Sequence, residues 1–262
     1  MIDIAITGAA GRMGQRLIAL ASQDKAFRIV AAIERPDHPL QSRDAGEISG
    51  IGPIGLPITF DLKPTPAVMI DFTVPASTRH WLKTCRGRGI AMLIGTTGLH
   101  PPDHASIDQA ATDIPILQSP TMALGVALLF KLAADAARIL GDDYDIEIVE
   151  SHHHFKKDAP SGTALGAADS ILKATGKSRD VLDFGRHGDD AIRKRGRIGM
   201  HSLRLGDDVG RHTVFFAASG ERLELTHAAT NRDTFVHGAL RAAKWLPGQK
   251  PGRYALSNVL GI

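Results

Sequence analysis

The sequence is poor in cysteine, in long hydrophobic runs and in excess charge of either sign. Cys85 is the only cysteine among 262 residues, which excludes an internal disulfide framework and favours a reducing compartment. The longest apolar stretch, residues 122–130, is too short to span a bilayer. No basic-then-apolar signal precedes the first strand-like run. We therefore expect a cytoplasmic protein with no membrane partner.

The charge balance is equally mild. The formal net charge is +3 at pH 7, and the densest basic run, residues 193–197, is interpreted most simply as a solvated loop. A nucleic-acid-binding protein would need a dense basic stripe. We therefore expect no nucleic-acid partner, and a small anionic substrate fits the weak basic bias better.

What the sequence does contain is an alternation of strand and helix patterns in its first half. Short apolar runs separated by helical patterns predict a parallel sheet that is covered on both faces. The predicted strands are residues 2–7, 29–33, 68–72, 90–94 and 114–117, and the predicted helices are residues 12–22, 76–88 and 103–112. Residues 37–57 are rich in proline, glycine and charge, which predicts a long loop.

The second half has a different pattern. A helix predicted over residues 122–140 is apolar on most faces, so we expect it to be buried and to join two domains. The strand patterns that follow it succeed one another largely without helices between them, which predicts an antiparallel or mixed sheet. These strands are residues 145–150, 198–205, 212–217 and 222–227, and further helices are predicted at residues 161–175 and 233–245.

A glycine-rich loop joins the first strand to the first helix. Gly8, Gly11 and Gly14 permit a tight turn and let backbone N–H groups approach a pyrophosphate at a helix N-terminus. The spacing is GxxGxxG, but Glu34 ends the second strand 20 residues beyond Gly14, where an acidic side chain binds adenosine ribose hydroxyls. Arg35 follows and is placed to meet a 2′-phosphate, so we expect both NADH and NADPH as cofactors. A glycine turn without a ligand is the alternative.

These observations together predict the fold class. We expect an α/β protein with an N-terminal Rossmann-like doubly wound parallel sheet and a second α+β domain built on a mixed or antiparallel sheet. Residues 1–123 and 231–262 are predicted to form the dinucleotide-binding domain, and residues 124–230 the domain for substrate binding and oligomerisation. The turn at residues 95–98 closes a strand at the carboxyl edge of the parallel sheet and should face the cofactor, although it also fits a plain turn.

The richest segment for chemistry is residues 150–163. Its adjacent histidines, residues 152–154, suggest a metal, but neighbouring side chains of an extended chain point in alternate directions and no paired cysteine is present, so we expect no metal site. A histidine can deliver a proton, and Lys156 can hold a carboxylate. Residues 161–163 open a helix, which leaves N–H groups and a hydroxyl free for an anion. A solvated polar loop with a serine helix cap is the alternative.

Four of these segments together resemble one family. The stretches GAAGRMG (8–14), DFT (71–73), GTTG (95–98) and ESHHHFKKDAPSGTA (150–164) are similar to those of the 4-hydroxy-tetrahydrodipicolinate reductases, long called dihydrodipicolinate reductases. The likeness covers nearly the whole chain. It implies a homotetrameric oxidoreductase that uses NADH or NADPH to reduce a small anionic cyclic dicarboxylate in the diaminopimelate route to lysine.

The resemblance also implies roles for individual residues. His152 would be the general acid/base and Lys156 the second proton donor, and the substrate would be bound by His153, Gly162 and Thr163. The cofactor would be bound by Gly8, Ala9, Ala10, Gly11, Arg12, Met13, Glu34, Arg35, Gly95, Thr96, Thr97, Ser119, Pro120, Thr121 and Met122. The chain departs from the family pattern at four positions: Thr121, Ala123 and Ala127 stand where Asn, Ser and Asn are usual, and Arg211 stands where Glu is usual.

Two other functions are compatible with parts of this pattern. One is a related two-domain dehydrogenase for another small amino acid or semialdehyde, but such an enzyme would lack the tight pairing of the histidine–lysine segment with PSGT. The other is a nucleotide-sensing protein without catalysis, which would have no need of His152 and Lys156. The departures from the family pattern at Thr121, Ala123 and Ala127 are compatible with this second alternative.

Overall fold

The computed structural model describes residues 1–262. The chain divides into two compact units: unit 1 comprises residues 1–123 and 235–261, and unit 2 comprises residues 124–234 together with Ile262. The second boundary lies a few residues beyond position 231, at which the sequence pattern places it.

The regular elements follow one another along the chain. The strands are β1 (Ile2–Thr7), β2 (Phe27–Ile33), β3 (Ile58–Thr59), β4 (Val68–Asp71), β5 (Ala91–Ile94), β6 (Pro115–Gln118), β7 (Asp145–His152), β8 (Leu182–Phe184), β9 (Ile198–Arg204), β10 (Gly210–Ala218), β11 (Glu221–Ala229) and β12 (Gly252–Tyr254). The helices are α1 (Arg12–Gln23), α2 (Ala45–Ile48), α3 (Pro75–Arg88), α4 (Pro101–Ala110), α5 (Leu124–Leu140), α6 (Gly162–Thr175), α7 (Asp233–Trp245) and α8 (Leu256–Leu260).

Unit 1 is built on a seven-stranded sheet in the order β12-β6-β5-β4-β1-β2-β3, and every neighbouring pair is parallel. The central strands are rich in buried branched residues such as Ile4, Ile6 and Ile70, because a parallel strand covered on both faces needs apolar side chains on both. The parallel doubly wound sheet predicted from the sequence is confirmed. Its strands β1, β4 and β5 are neighbours, so the loops after them meet at one edge.

Helices α1, α3 and α4 lie within two residues of their predicted bounds. Pro75 occupies the first turn of α3, where a missing N–H costs nothing, and Gly89 ends that helix in the left-handed region with φ of 66°. The predicted loop 37–57 is wrong in part, because it contains α2. Asp44 caps this short helix and also accepts hydrogen bonds from the N–H groups of Ile54 and Gly55, so one carboxylate organises the whole segment. The short elements β3, β12 and α8 were not predicted.

Unit 2 is built on a five-stranded mixed sheet in the order β11-β10-β7-β9-β8. Strands β11, β10 and β7 pair antiparallel, whereas β7, β9 and β8 pair parallel, so the predicted mixed sheet is confirmed. Helices α5 and α6 cover one face, and the core between them and the sheet includes Leu129, Ile148 and Phe216. The other face carries partly exposed side chains, among them Val149 and Phe215.

The prediction that the helix at residues 122–140 is buried and joins two domains is wrong. Helix α5 begins at Leu124 and lies wholly within unit 2. Only a stripe that includes Leu129 and Ala133 is buried, while Leu128 and Leu132 are each 44% exposed. The helix packs with one side against α6 and the sheet, so its other apolar side meets no neighbour within unit 2. No helix of the protein combines the length and the apolar character needed to cross a membrane.

The basic run at residues 193–197 is not a fully solvated loop, contrary to the sequence interpretation. The guanidinium of Arg193 contacts Asp145 at 2.7 Å and Glu147 at 3.0 Å, and Arg197 pairs with Asp183 at 2.5 Å. The two arginines therefore tie this segment to the neighbouring strands.

Candidate active site

The phosphate-type loop of unit 1 needs its glycines for close packing. Gly8 adopts a φ of 68°, and a Cβ added to Gly14 would lie 2.1 Å from the carbonyl oxygen of Gly8. Gly11 precedes α1 and offers no side chain to cap it, so the first N–H groups of the helix, at Arg12 and Met13, stay available to an anion. The residues present therefore fit the pyrophosphate of a dinucleotide.

Glu34 lies beside this loop. Its Oε2 accepts a hydrogen bond from the N–H of Ala10 at 3.3 Å, and its Oε1 accepts one from the N–H of Arg35 at 3.0 Å. The N–H of Ala9 is used by the carbonyl of Ile33 at 3.0 Å, so Ala9 supports the turn without offering a free donor. The Arg35 guanidinium is exposed and pairs with Asp37 at 2.8 Å, a surface contact weak enough to be exchanged for a phosphate.

A cleft of about 910 Å³ opens in front of the loop. Its polar end is formed by the loop glycines and Glu34, and its apolar wall is formed by Pro36, Phe60, Leu62, Phe72 and Trp81. A wall of this kind suits a planar aromatic base, because rings bury much area at little loss of conformational freedom. Phe60 and Trp81 could not be predicted as site residues, since they lie on other segments of the chain and only the folded sheet brings them to this edge.

A second cavity in unit 1, of about 170 Å³, lies at the ends of β5 and β6. It is lined by Met13, Phe72, Gly95, Ser119, Pro120, Thr121, Met122 and Phe235. A Cβ on Gly95 would lie 2.3 Å from the ring of Phe72, so only glycine fits there. Thr121 uses its hydroxyl to accept the N–H of Ala123 at 3.3 Å, which keeps this turn in place without the asparagine usual in the family pattern. Thr96 is buried, whereas Thr97 is exposed.

The central feature of unit 2 is a buried carboxylate–histidine pair on β7. Glu150 and His152 lie two residues apart on the same face of the strand, and Glu150 Oε2 stands 2.5 Å from His152 Nδ1. Arg204 contacts both oxygens of Glu150 at 3.1 Å, and the N–H of Ser161 donates to Oε1 at 3.2 Å. Glu150 has no exposed surface. It therefore fixes the ring of His152 and leaves Nε2 as the nitrogen that can exchange a proton.

The two groups of this pair have shifted pKa values. Burial is the largest influence on the pKa of His152 and lowers it. The adjacent Glu150 raises this pKa and the charges of Lys156 and Arg204 lower it, so that it lies below its usual value. Burial acts to raise the pKa of Glu150, but hydrogen bonds from His152, Ser202 and Arg204 bring it below its usual value. Glu150 is therefore held ionised, and His152 gives up a proton more readily than an exposed histidine.

His212 lies directly opposite Glu150 on β10. Its Nε2 stands 3.0 Å from the hydroxyl of Ser161, and its ring packs edge-on against His152 with 5.1 Å between centroids. Burial, together with the charge of His152, lowers the pKa of His212 to about 4. His212 is therefore a neutral residue that holds Ser161. Sequence reasoning missed the roles of Glu150, Arg204 and His212, because they depend on the strand register.

The predicted substrate residues surround this pair. Ser161 accepts the N–H of Ala164 at 3.1 Å and so caps α6, which leaves the N–H groups of Gly162 and Thr163 in the first turn free for an anion. Lys156 contacts Asp158 at 2.8 Å, and its charge reaches both His152 and His212, whose pKa values it lowers.

The three adjacent histidines do not converge on one point. His152 is bound to Glu150, and His154 Nδ1 lies 2.8 Å from the carbonyl oxygen of Gly206. His153 has a buried Nδ1 with no partner in the protein. The arrangement around β7 and the start of α6 thus provides a proton donor, a cation and a helix N-terminus, which together can protonate and bind an anionic substrate.

Comparison with known proteins agrees with these features. Sequence profiles described as dihydrodipicolinate reductase, N-terminus, and dihydrodipicolinate reductase, C-terminus, match residues 2–122 and 125–260. The chain belongs to the dihydrodipicolinate reductase family. A family relative from Alkalilimnicola ehrlichii, named 4-hydroxy-tetrahydrodipicolinate reductase, is 47% identical over 99% of this chain and 98% of its own length. A relative of the same name from Citrifermentans bemidjiense is 44% identical over all of both chains.

Solved structures share the fold. The dipicolinate-bound dihydrodipicolinate reductase from Paenisporosarcina sp. TG-14 superposes with a TM-score of 0.77 over 97% of each chain, at 24% identity. An amine dehydrogenase from Mycobacterium smegmatis superposes with a TM-score of 0.66 at 14% identity, over 97% of this chain and 95% of its own. Because enzymes with different names share this architecture, the fold alone does not select a substrate.

Proposed function

We propose that this protein reduces 4-hydroxy-tetrahydrodipicolinate to tetrahydrodipicolinate with NADH or NADPH, in the diaminopimelate route to lysine. Its family membership makes it an oxidoreductase. The observation that carries the proposal is the buried Glu150–His152 pair beside the free N-terminus of α6. The reaction adds one hydride and one proton to the ring and releases one water.

His152 supplies the proton in this proposal. Its Nδ1 faces Glu150 at 2.5 Å, so Glu150 stabilises the charged ring and Nε2 is the proton-transferring atom. A side chain at position 210 would crowd this nitrogen, because its Cβ would lie only 3.0 Å from Nε2. Glycine at this position therefore keeps Nε2 accessible. The lowered pKa of His152 favours release of the proton to the substrate. Lys156 serves as the second proton donor and as a counter-charge.

The substrate's carboxylates are bound by two kinds of group. The N–H groups of Gly162 and Thr163, with the Thr163 hydroxyl, receive one carboxylate without a full positive charge. Lys156 and His153 face the other. The relative from Paenisporosarcina sp. TG-14 was solved with dipicolinate bound, a cyclic dicarboxylate whose chemistry matches this set of donors.

The cofactor is held by unit 1. A reduced nicotinamide supplies the hydride when it is bound, and the N–H groups at the start of α1 hold the pyrophosphate. Glu34 binds the adenosine ribose of NADH, and Arg35 meets the 2′-phosphate of NADPH. Of the remaining assigned residues, Gly95 and Ser119 to Met122 line the second cavity, which would receive the nicotinamide end. Thr96 and Thr97 follow Gly95 in the same turn and would support it.

A paired kinetic experiment tests the proposal. Steady-state assays with the cyclic substrate, first with NADH and then with NADPH, should show turnover with both. Stopped-flow reduction by folded His152→Gln protein should be slower by ~100-fold or more, the scale expected for loss of general acid catalysis, and Lys156→Ala should also be slower. Unchanged rates in both variants would show that this segment is not the active site. Turnover of an acyclic amino acid in place of the cyclic imine would favour a related dehydrogenase instead.

We also propose a cytoplasmic homotetramer. The uncovered face of the unit 2 sheet, with Val149 and Phe215 partly exposed, supports burial against other copies of the chain, since a helix-free sheet face needs protection. The single cysteine supports a reducing compartment. Light scattering at micromolar concentration should give the mass of four chains, and a monomer would contradict the assembly.

A further inference from the structure

Asp71 is a buried carboxylate that has hydroxyl partners but no cation. It ends β4 and has no exposed surface. Its Oδ1 accepts hydrogen bonds from the hydroxyls of Thr7 at 2.7 Å and Thr73 at 2.6 Å. Its Oδ2 accepts from Thr78 at 2.5 Å and Thr96 at 3.0 Å. We call Asp71 and these four residues the threonine cluster.

The cluster fixes the direction of every hydroxyl in it. A carboxylate only accepts hydrogen bonds and has about four acceptor positions, so each threonine must donate to it. The oxygen of Thr96 is then left to accept, and it takes the N–H of Thr73 at 3.0 Å. A buried ion is costly unless fully hydrogen-bonded. A buried carboxylate at position 71 with no cation beside it therefore points to a role in holding the surrounding loops in place.

Three of the threonines stand at the starts of the three loops of the candidate cofactor site, with Thr7 at the end of β1 and Thr73 and Thr96 just beyond β4 and β5. Thr7 precedes Gly8, Thr73 follows Phe72, and Thr96 follows Gly95. These loops are in close contact. A Cβ on Gly8 would lie 3.1 Å from the carbonyl oxygen of Phe72, and a Cβ on Gly95 would lie 2.3 Å from the ring of Phe72. A small shift of the Phe72–Thr73 turn would therefore change both cavities, because Phe72 lines each of them. Thr78 differs, because it lies on α3 and not at the start of one of these three loops.

We propose that Asp71 is a positioning residue for cofactor binding. Through Thr96 it holds the Phe72–Thr73 turn against the glycine loop in the shape that receives the dinucleotide. Asp71 has no exposed surface, so it acts only through its neighbours. This inference rests on the proposed function, because it concerns the same cleft.

The first test replaces the carboxylate by an amide of equal size. Asp71→Asn puts an NH₂ donor where two hydroxyls donate, so the Thr73 turn loses its support. Fluorescence titration should show dissociation constants for NADH and NADPH raised alike by about tenfold, which is about 1.4 kcal/mol. Turnover at saturating cofactor should stay within about twofold, because chemistry is assigned to unit 2. Unchanged dissociation constants in a folded, less heat-stable variant would reduce Asp71 to a structural residue and overturn the proposal.

A matched pair keeps the proposal testable if Asp71→Asn does not fold. Thr96→Val and Thr78→Val each remove one hydrogen bond to Oδ2, and both positions are 2% exposed. We expect similar losses of melting temperature, but a raised cofactor dissociation constant only for Thr96→Val, because only Thr96 also holds the N–H of Thr73. Equal affinities in the two variants overturn the proposal. Unsubstituted protein that binds neither cofactor contradicts the proposed function itself, and with it this inference.

Discussion

The candidate sites of the two units are made from different materials. In unit 1 the cofactor cleft is formed by glycine turns, backbone N–H groups and apolar rings, with the threonine cluster beneath it. In unit 2 the site is formed by ionisable side chains with shifted pKa values, centred on Glu150, His152 and His212. Binding of a cofactor common to many enzymes needs shape, whereas proton transfer needs groups that titrate. The pH dependence of turnover should therefore reside in unit 2.

The largest expected effect is a loss of stability in acid caused by His212. Its pKa falls from 6.5 to about 4 on folding. Between these two pH values the unfolded chain binds a proton at His212 that the folded chain does not bind. The free energy of unfolding is therefore unaffected by His212 above pH 6.5. It decreases as the pH falls toward 4, by about 3 kcal/mol in total. The neighbouring His152 also has a lowered pKa and changes the free energy of unfolding in the same direction.

Urea unfolding at pH 7.5 and at pH 5 measures this loss. A His212→Gln variant, which keeps a hydrogen-bonding group near Ser161 but does not titrate, should show a flatter dependence on pH. An equally steep dependence in this variant would place the titrating group elsewhere and weaken the contrast between the units.

The next effect sharpens the role of Glu150. Glu150→Gln removes a charge that raises the pKa of His152, so that pKa should drop further and less of the acid form should exist at neutral pH. We expect turnover at pH 7 to fall roughly 30-fold and the basic limb of its pH profile to move to lower pH. Affinity for NADH should not change.

Glu147→Gln is the matched control for this variant. Glu147 also lies on β7 and also contacts a histidine, since its Oε2 stands 2.7 Å from His201, but it belongs to the other face of the strand. Its substitution should leave the pH profile of turnover in place. Identical shifts in the two variants would mean that a general change of charge, and not contact with His152, governs the profile.

A smaller effect tests unit 1. Arg35→Ala should raise the dissociation constant of NADPH by about tenfold while changing that of NADH by about twofold or less, because one phosphate contact is worth on the order of 1–2 kcal/mol. Asp37→Ala should act in the opposite direction on NADPH, since it frees Arg35 from its ion pair at 2.8 Å. Calorimetric titration that shows equal losses for both cofactors in Arg35→Ala would remove Arg35 from the cofactor assignment.

The smallest effect concerns the start of α6. Thr163→Ala should raise the Michaelis constant for the cyclic substrate by about fivefold and leave turnover nearly unchanged, because one hydrogen bond to a bound carboxylate is lost. Thr175→Ala, at the far end of the same helix, removes a hydroxyl that bonds the carbonyl of Ile171 at 2.9 Å and should not alter the constant. A fall in turnover with an unchanged Michaelis constant in Thr163→Ala would move Thr163 from binding to chemistry.

The sequence predicts the backbone of both units better than their side-chain networks. Strands such as β1 and the loop from Gly8 to Gly14 follow from local apolar runs and glycine spacing, which act over a few residues. The partners of His152 could not be predicted, because Arg204 and His212 are more than fifty residues away and meet it only through the register of β9 and β10. The role of Asp71 could not be predicted from its motif, because Thr7, Thr78 and Thr96 come from three other segments of the chain.

The reason for the error over α5 is also physical. An apolar sequence reports how much surface a helix could bury, but not how many neighbours are present to bury it. Leu128 and Leu132 remain exposed because α6 and the sheet contact only one side of the helix within unit 2.

The single thiol of Cys85 can report local opening of unit 1. It has no exposed surface, and burial raises its pKa to about 12, so it is a poor nucleophile while unit 1 stays closed. A thiol reagent can then modify the protein only during rare openings of that unit, at a rate set by the local free energy of opening. Since a ligand that binds only the closed form makes such openings rarer, the modification rate measures cofactor occupancy without any need for catalysis.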